Sequence, residues 1–201
     1  EATKSYLNPL GNRFKAGVFH FANLVVHLMT VAVLYYFLHS LLGTISGAFI
    51  GAALFALHPL QVETVCWITG LRDVLAGLFS VLFLYAYLIY SRTRDEKQWL
   101  PVSPEIFTMN TLWYVLATVC FLLATLCKSS SLSIPIMAGV MALLLLKRPF
   151  FNVVVEALPW FVLVLPLVHI FTKLNAGVAE RVVYIAPLGM RFFVALDALA
   201  F

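Results

Sequence analysis

From Val18 to Leu42 the chain carries no aspartate, glutamate, lysine or arginine, and comparable apolar runs recur along its whole length. Nothing in the sequence constrains the fold more. In water such runs would need burial on every side. A bilayer accepts them as helices, because a helix satisfies its backbone hydrogen bonds internally. With 63% hydrophobic and 11% charged residues and a mean hydropathy of +0.98, the chain reads as an all-α, polytopic helical membrane protein. At about 20 apolar residues per span it has room for about six or seven transmembrane segments in a single helical domain, and for no separate soluble domain.

The spans are expected near 18–42, 45–57, 72–90, 111–127, 132–146, 153–171 and 189–201, after a polar loop over 1–16. Gly47 and Gly51 lie four apart, and small residues at that spacing let another helix approach closely. Pro59 disfavours helical geometry at His58, so the second span should break there. Residues 60–71 then form a short amphipathic or re-entrant piece. Ser91 to Asn110 is polar and reads as a true loop, whereas only Lys128-Ser129-Ser130-Ser131 joins the fourth and fifth spans. Lys147-Arg148-Pro149 closes the fifth, and Pro159 and Pro166 should kink the sixth. The polar start at Glu1 and the apolar finish at Ala198-Leu199-Ala200-Phe201 read as the limits of a fragment, so a longer natural chain is expected.

The net charge of +4 and pI near 9.1 come from scattered cations and not from a basic tract. Membrane lipids with anionic head groups account for that balance better than nucleic acid does. Counting lysines and arginines on the two sides does not settle the orientation. Cys120 and Cys127 are separated by roughly 10 Å of helical rise, too far for a disulfide. Small apolar packing suits all three cysteines, with Cys66 near the polar loop the candidate reactive thiol. There is no P-loop, dinucleotide fingerprint, HExxH or CxxC.

Polar groups beside membrane spans are costly and usually have a task. The densest set is His58-Pro59-Leu60-Gln61-Val62-Glu63 followed by Trp67-Ile68-Thr69-Gly70-Leu71-Arg72-Asp73. Two readings stand side by side. In one, Asp73 complements a helix dipole and Glu63 pairs with Arg72 at the interface. In the other, the loop is a pocket for an anionic head group, with Arg72 on phosphate and a carboxylate orienting a hydroxyl. Arginine suits that role because its planar fork grips phosphate through two hydrogen bonds. Lys128 reads as a snorkelling lysine, although the serines and amides after it would also suit a phosphate. His20, Asn23 and His27 share one face of the first span. Buried hydrogen bonding explains them better than metal ligation, since no third ligand is near. The tyrosines and Trp67, Trp113 and Trp160 read mostly as an aromatic belt at span ends.

The order of these pieces resembles a known family. Phe19-His20-Phe21-Ala22-Asn23-Leu24-Val25-Val26-His27-Leu28 is followed by the HPxxVE and W-x-x-G-x-[RK]-D elements, then by Cys127-Lys128 with Pro135, and by Ala186-Pro187-Leu188-Gly189-Met190-Arg191. Together they resemble the membrane portion of tetratricopeptide-repeat glycosyltransferase-like proteins of the GT-C superfamily, which include animal O-mannosyltransferases. The resemblance implies a multi-pass enzyme of the bacterial inner membrane or the eukaryotic endoplasmic reticulum. It would transfer sugar from a polyprenyl-phosphate donor on the outer or lumenal face, with residues 1–16 outside. Carried over, Arg72 and Lys128 would bind the donor phosphate, Glu63 and Asp73 would serve as catalytic carboxylates, and His58 would shape the pocket. The family's acidic catalytic residue of the first outer loop would precede Glu1, and Ser129 stands where animal members often carry glutamate. No cofactor is implied, and the sequence does not say whether a divalent metal takes part.

The alternative belongs to another class: a non-catalytic scaffold subunit that holds other membrane subunits of a larger complex. A transporter ranks third, for want of paired inverted repeats.

Overall fold

The computed structural model describes residues 16–95 and 104–182. The order of helices is α1 Ala16–Leu42, α2 Ile45–Leu57, α3 Pro59–Cys66, α4 Leu71–Asp95, α5 Pro104–Cys127, α6 Ile134–Leu144 and α7 Phe150–Val182, and no strand occurs among the described residues. Single 3-10 turns, Ile68–Gly70 and Ser129–Ser133, precede α4 and α6. Four described helices are long and apolar enough to cross a membrane, and five if the bent pair α2–α3 is one span. The expected seventh span at 189–201 lies outside the described residues, as do the loop at 1–15 and much of the polar connection before α5.

The chain divides into two compact units at Val155/Glu156, inside α7. In the second unit, the remainder of α7 runs to Val182 with Pro159 and Pro166 inside the helix. The first unit contains the residues singled out in the sequence. Its centre is α4, packed by α1 and α5. Phe83, Ala86, Tyr87, Leu88 and Tyr90 are buried on α4, and α5 answers with Ala117, Cys120, Phe121 and Ala124, an i, i+3, i+4, i+7 stripe. The Phe83 and Phe121 rings lie 5.9 Å apart and Tyr90 and Tyr114 5.2 Å apart. Tyr87 and Tyr90 are thus core residues and not belt residues, because the α4–α5 seam needs large side chains to fill it. The outer face of α5 presents Leu112, Val115, Leu116, Val119, Leu123 and Leu126, as a lipid-facing surface does.

Packing in lipid relies on close approach and on interhelical hydrogen bonds, since the solvent is as apolar as the side chains. The α1–α2 hairpin uses the first device. Gly43 turns the corner with φ +71°, a conformation that favours glycine, and its N–H bonds the carbonyl of His39 at 2.9 Å. Beyond it, a Cβ on Gly51 would fall 2.7 Å from Cδ1 of Leu38, while Ala48 and Ala52 are buried on the same helix. The small residues of α2 therefore admit α1, as the spacing of Gly47 and Gly51 predicts.

At its far end α2 stops where proline requires it. His58 is extended (φ −66°, ψ 130°), and α3 leaves at 52° to α2. The fifth expected span, 132–146, forms differently. Only Ile134–Leu144 is α-helical, and together with its 3-10 turn this element is shorter than the helices that qualify as spans. It ends in a left-handed Lys147 (φ 52°) before Arg148, whose Nη1 donates to Ser91 Oγ at 3.4 Å.

Candidate functional site

Arg72 and Asp73 open α4, and Asp73 sits in the first turn, where a carboxylate complements the positive end of the helix dipole. Because α5 runs back along α4, its last residues arrive beside that turn. Lys128 follows Cys127 in extended conformation (φ −150°) and begins the 3-10 turn of serines. Its Nζ lies 3.0 Å from Oδ2 of Asp73, and Nε of Arg72 lies 3.9 Å from Oδ1. Asp73 is one-third exposed (33%), against 45% for the Lys128 side chain and 73% for that of Arg72. Asp73 Oδ1 itself is buried and accepts no hydrogen bond. Two cations from different elements thus flank one carboxylate, with one positive charge in excess.

His58 and Glu63 stand on the neighbouring α3, where both are exposed. Nδ1 of His58 accepts the N–H of Leu60 at 3.3 Å, so its local role is to cap α3. Neither His58 nor Glu63 makes an ion pair among the described residues. The interfacial Glu63–Arg72 pair considered from spacing is therefore not formed. Asp73, adjacent in sequence and on the same turn, takes Arg72 instead.

The placement of α3 rests on α1. No residue of α3 is fully buried, so side-chain packing alone holds it weakly. Asn23, fully buried, donates through Nδ2 to the carbonyls of Val65 (3.1 Å) and Trp67 (2.7 Å). These belong to the group of carbonyls that a helix end leaves without intrahelical partners. One turn along, Nε2 of buried His27 lies 3.3 Å from the carbonyl of Ala56, and its ring stacks on Phe55 at 5.7 Å. Asn23 and His27 do form the buried hydrogen bonds that their shared face suggests, whereas His20, nearer the start of α1, is exposed.

Gly70 escaped the sequence reading. A Cβ there would collide with the carbonyl oxygen of Thr64, so only glycine lets the chain pass tightly from α3 into α4. Its position two residues before Arg72 in the W-x-x-G-x-R-D element was the available signal. Cys66, taken as a packing residue alongside the other two, is exposed and free, since it lies on the unburied α3. No group of three His, Cys, Asp or Glu that could hold a metal occurs among the described residues.

These features define a multi-pass, all-helical integral membrane protein with a charged cluster where the start of α4 and the α5–α6 connection meet, beside the bent α2–α3 pair. Its relatives are specific. The chain is 42% identical over 79 residues to protein O-mannosyl-transferase TMTC1 of Homo sapiens, covering 39% of this chain and 9% of that protein. It is 31% identical over 100 residues to protein O-mannosyl-transferase Tmtc2 of Drosophila melanogaster, covering 48% and 11%. It is 28% identical over 131 residues to TMTC3 of Homo sapiens, covering 64% and 13%. The matched stretches thus span between 9% and 13% of these relatives' own lengths. The resemblance to O-mannosyltransferase-like membrane proteins is borne out by these names. No family model matches the chain, and no solved structure matches it.

Proposed function

We propose that this chain is the core portion of a membrane glycosyltransferase that moves a sugar from a polyprenyl-phosphate donor to an acceptor hydroxyl on the outer or lumenal face. One observation carries the reading: Arg72 and Lys128 converge on Asp73 with the Arg72 side chain largely, and that of Lys128 nearly half, exposed. When the bond from sugar to phosphate breaks, negative charge grows on the departing lipid phosphate. Cations already held in place stabilise that charge without reorganising at the moment of reaction. Arg72 offers a fork for two phosphate oxygens and Lys128 a compact point charge. Asp73 keeps both aimed while leaving the excess positive charge for the ligand. Glu63, exposed on α3, is the second carboxylate available to orient an acceptor, and His58 borders the same loop. The names of the relatives support sugar transfer, and mannose is the sugar to try first.

The test is transfer from a polyprenyl-phosphate mannose in membranes carrying the full-length protein. Arg72→Ala should lower turnover by about a hundredfold, the order of loss seen when an electrostatic stabiliser is removed. Near-normal turnover would end the phosphate role. A scaffold role has one observation in its favour, that the two cations already have a carboxylate partner. Co-purification with unrelated membrane subunits, together with no transfer by the wild type, would move the reading there.

A further inference from the structure

We propose that Asn23 is a positioning residue for the Arg72–Asp73–Lys128 cluster, acting through the carbonyl of Trp67. The inference rests on the phosphate-site reading above and adds to it a residue that touches none of the three charged groups.

The argument begins with what α3 lacks. It buries no side chain, and it is joined to α2 by a proline break and to α4 by a single 3-10 turn. Two polar hooks on α1 hold the chain on either side of the break instead, and that of Asn23 holds the end of α3. His27 takes the carbonyl of Ala56, ahead of the break, and Asn23 takes those of Val65 and Trp67, behind it. The second hook is the stronger. A single carboxamide spends both N–H groups, one on each carbonyl, in a place with no exposed surface. Facing two acceptors fixes the orientation of the amide, with nitrogen toward the carbonyls and Oδ1 left buried without a partner. An unpartnered buried oxygen is costly. The structure tolerates it so that the nitrogen can serve two acceptors.

The Trp67 carbonyl is shared. It accepts Asn23 Nδ2 at 2.7 Å and the N–H of Gly70 at 3.0 Å. Gly70 is in turn locked against Thr64, where no Cβ would fit. From Gly70 the chain passes through Leu71 directly to Arg72 and Asp73. Asn23 therefore fixes the turn from which α4 starts, and with it where Asp73 meets Lys128 from α5. A leucine at 23 could fill the space but would leave the two carbonyls open. An aspartate would match the shape and turn an acceptor toward both.

The experiment uses the full-length protein in nanodiscs, with Asn23→Asp and, as a variant that retains one donor, Asn23→Ser. Zero-length carbodiimide coupling of Lys128 to Asp73, quantified by peptide mass spectrometry below the unfolding temperature, reads the cluster geometry directly. Affinity for a synthetic polyprenyl phosphate, measured by native mass spectrometry, reads its consequence, with Arg72→Ala alongside. The expected result is a loss of about tenfold in both coupling yield and affinity for Asn23→Asp, with Asn23→Ser in between, in line with the sensitivity of sites to small misplacements. A merely structural asparagine would lower the unfolding temperature and leave coupling in the folded protein at the wild-type yield; that outcome overturns the proposal. Where Arg72→Ala does weaken binding, reduced coupling with wild-type affinity overturns it equally. If Arg72→Ala binds the polyprenyl phosphate as well as the wild type does, the phosphate reading fails on its own account, and the coupling yield alone decides the role of Asn23.

Discussion

Nζ of Lys128, at the end of α5, lies 3.0 Å from Oδ2 of Asp73, in the first turn of α4. Asp73 lies where α4 begins and Lys128 just past where α5 ends, at one end of an antiparallel helix pair, so their contact reports the register of the α4–α5 seam. That seam is set by Phe83, Tyr87 and Tyr90 against Phe121 and Tyr114, along the middle and far parts of the two helices. The aromatic core and the charged cluster are two consequences of one register.

Asp73→Asn separates aim from charge. The amide keeps the shape, loses both ion pairs and frees two cations. Since the side chains are partly exposed, the folded state should lose about 1 kcal/mol or less. Polyprenyl phosphate should bind as tightly as before or more tightly, because the competing carboxylate is gone. Turnover should fall by about tenfold or more, because Arg72 and Lys128 are no longer held. Steady-state transfer kinetics check the split: a weaker KM with unchanged kcat would contradict it.

Lys128→Met keeps the stem of the side chain and removes its charge. Of its ion pairs among the described residues, Asp73 then retains the 3.9 Å contact with Arg72. Affinity for polyprenyl phosphate should drop by about tenfold at low ionic strength, and the gap from wild type should narrow as salt screens the exposed pair. Titrations at two salt concentrations decide this. A deficit independent of salt would mean that Lys128 acts by packing.

What was legible in the sequence was local. The break at His58-Pro59 follows from one proline, the close approach at Gly51 from small residues one turn apart, and the hydrogen-bonding face of Asn23 and His27 from helical periodicity. The pairing of Lys128 with Asp73 was not legible, because it depends on how two helices slide along each other. Spacing offers Glu63 as a partner of Arg72 in one of its two readings for the same reason. Distance along the chain was the only guide, and α3 turns Glu63 out to solvent. Tyr87 and Tyr90 read as belt residues from the sequence and lie in the core, because position near a span end says nothing of which face meets α5.

Gly70→Ala should be far more damaging than a glycine-to-alanine change elsewhere on the same segment. Its new Cβ would press on the backbone carbonyl of Thr64, which cannot swing aside. The turn must open, at a cost of about 1–3 kcal/mol, and the Trp67–Gly70 bond on which Arg72 depends should weaken. Gly77→Ala, further along α4, meets nothing within 4 Å. There the better helix former should be neutral or stabilise by up to about 1 kcal/mol. Thermal unfolding of the two variants in the same detergent compares them directly. Equal stability would mean that the tight passage from α3 to α4 does not exist in the membrane.

Substitutions at Gly51 test whether the α1–α2 seam reaches the charged cluster. Alanine there puts a Cβ 2.7 Å from Cδ1 of Leu38. That atom is the tip of a flexible side chain, so a small rotation absorbs it, and Gly51→Ala should cost less than about 1 kcal/mol. Gly51→Leu has no such escape and must push α2 away from α1, at about 1–3 kcal/mol. The displacement should travel. α1 carries His27, which holds the end of α2 at Ala56, and Asn23, which holds the end of α3. Moving α2 outward pulls on the first hook while the second still grips. Gly51→Leu should therefore weaken polyprenyl phosphate binding as well as stability, whereas Gly51→Ala should change neither appreciably. Binding titrations beside unfolding curves separate the cases. A destabilised Gly51→Leu protein with wild-type affinity would show that Asn23 alone suffices to hold the start of α4, leaving His27 to the hairpin.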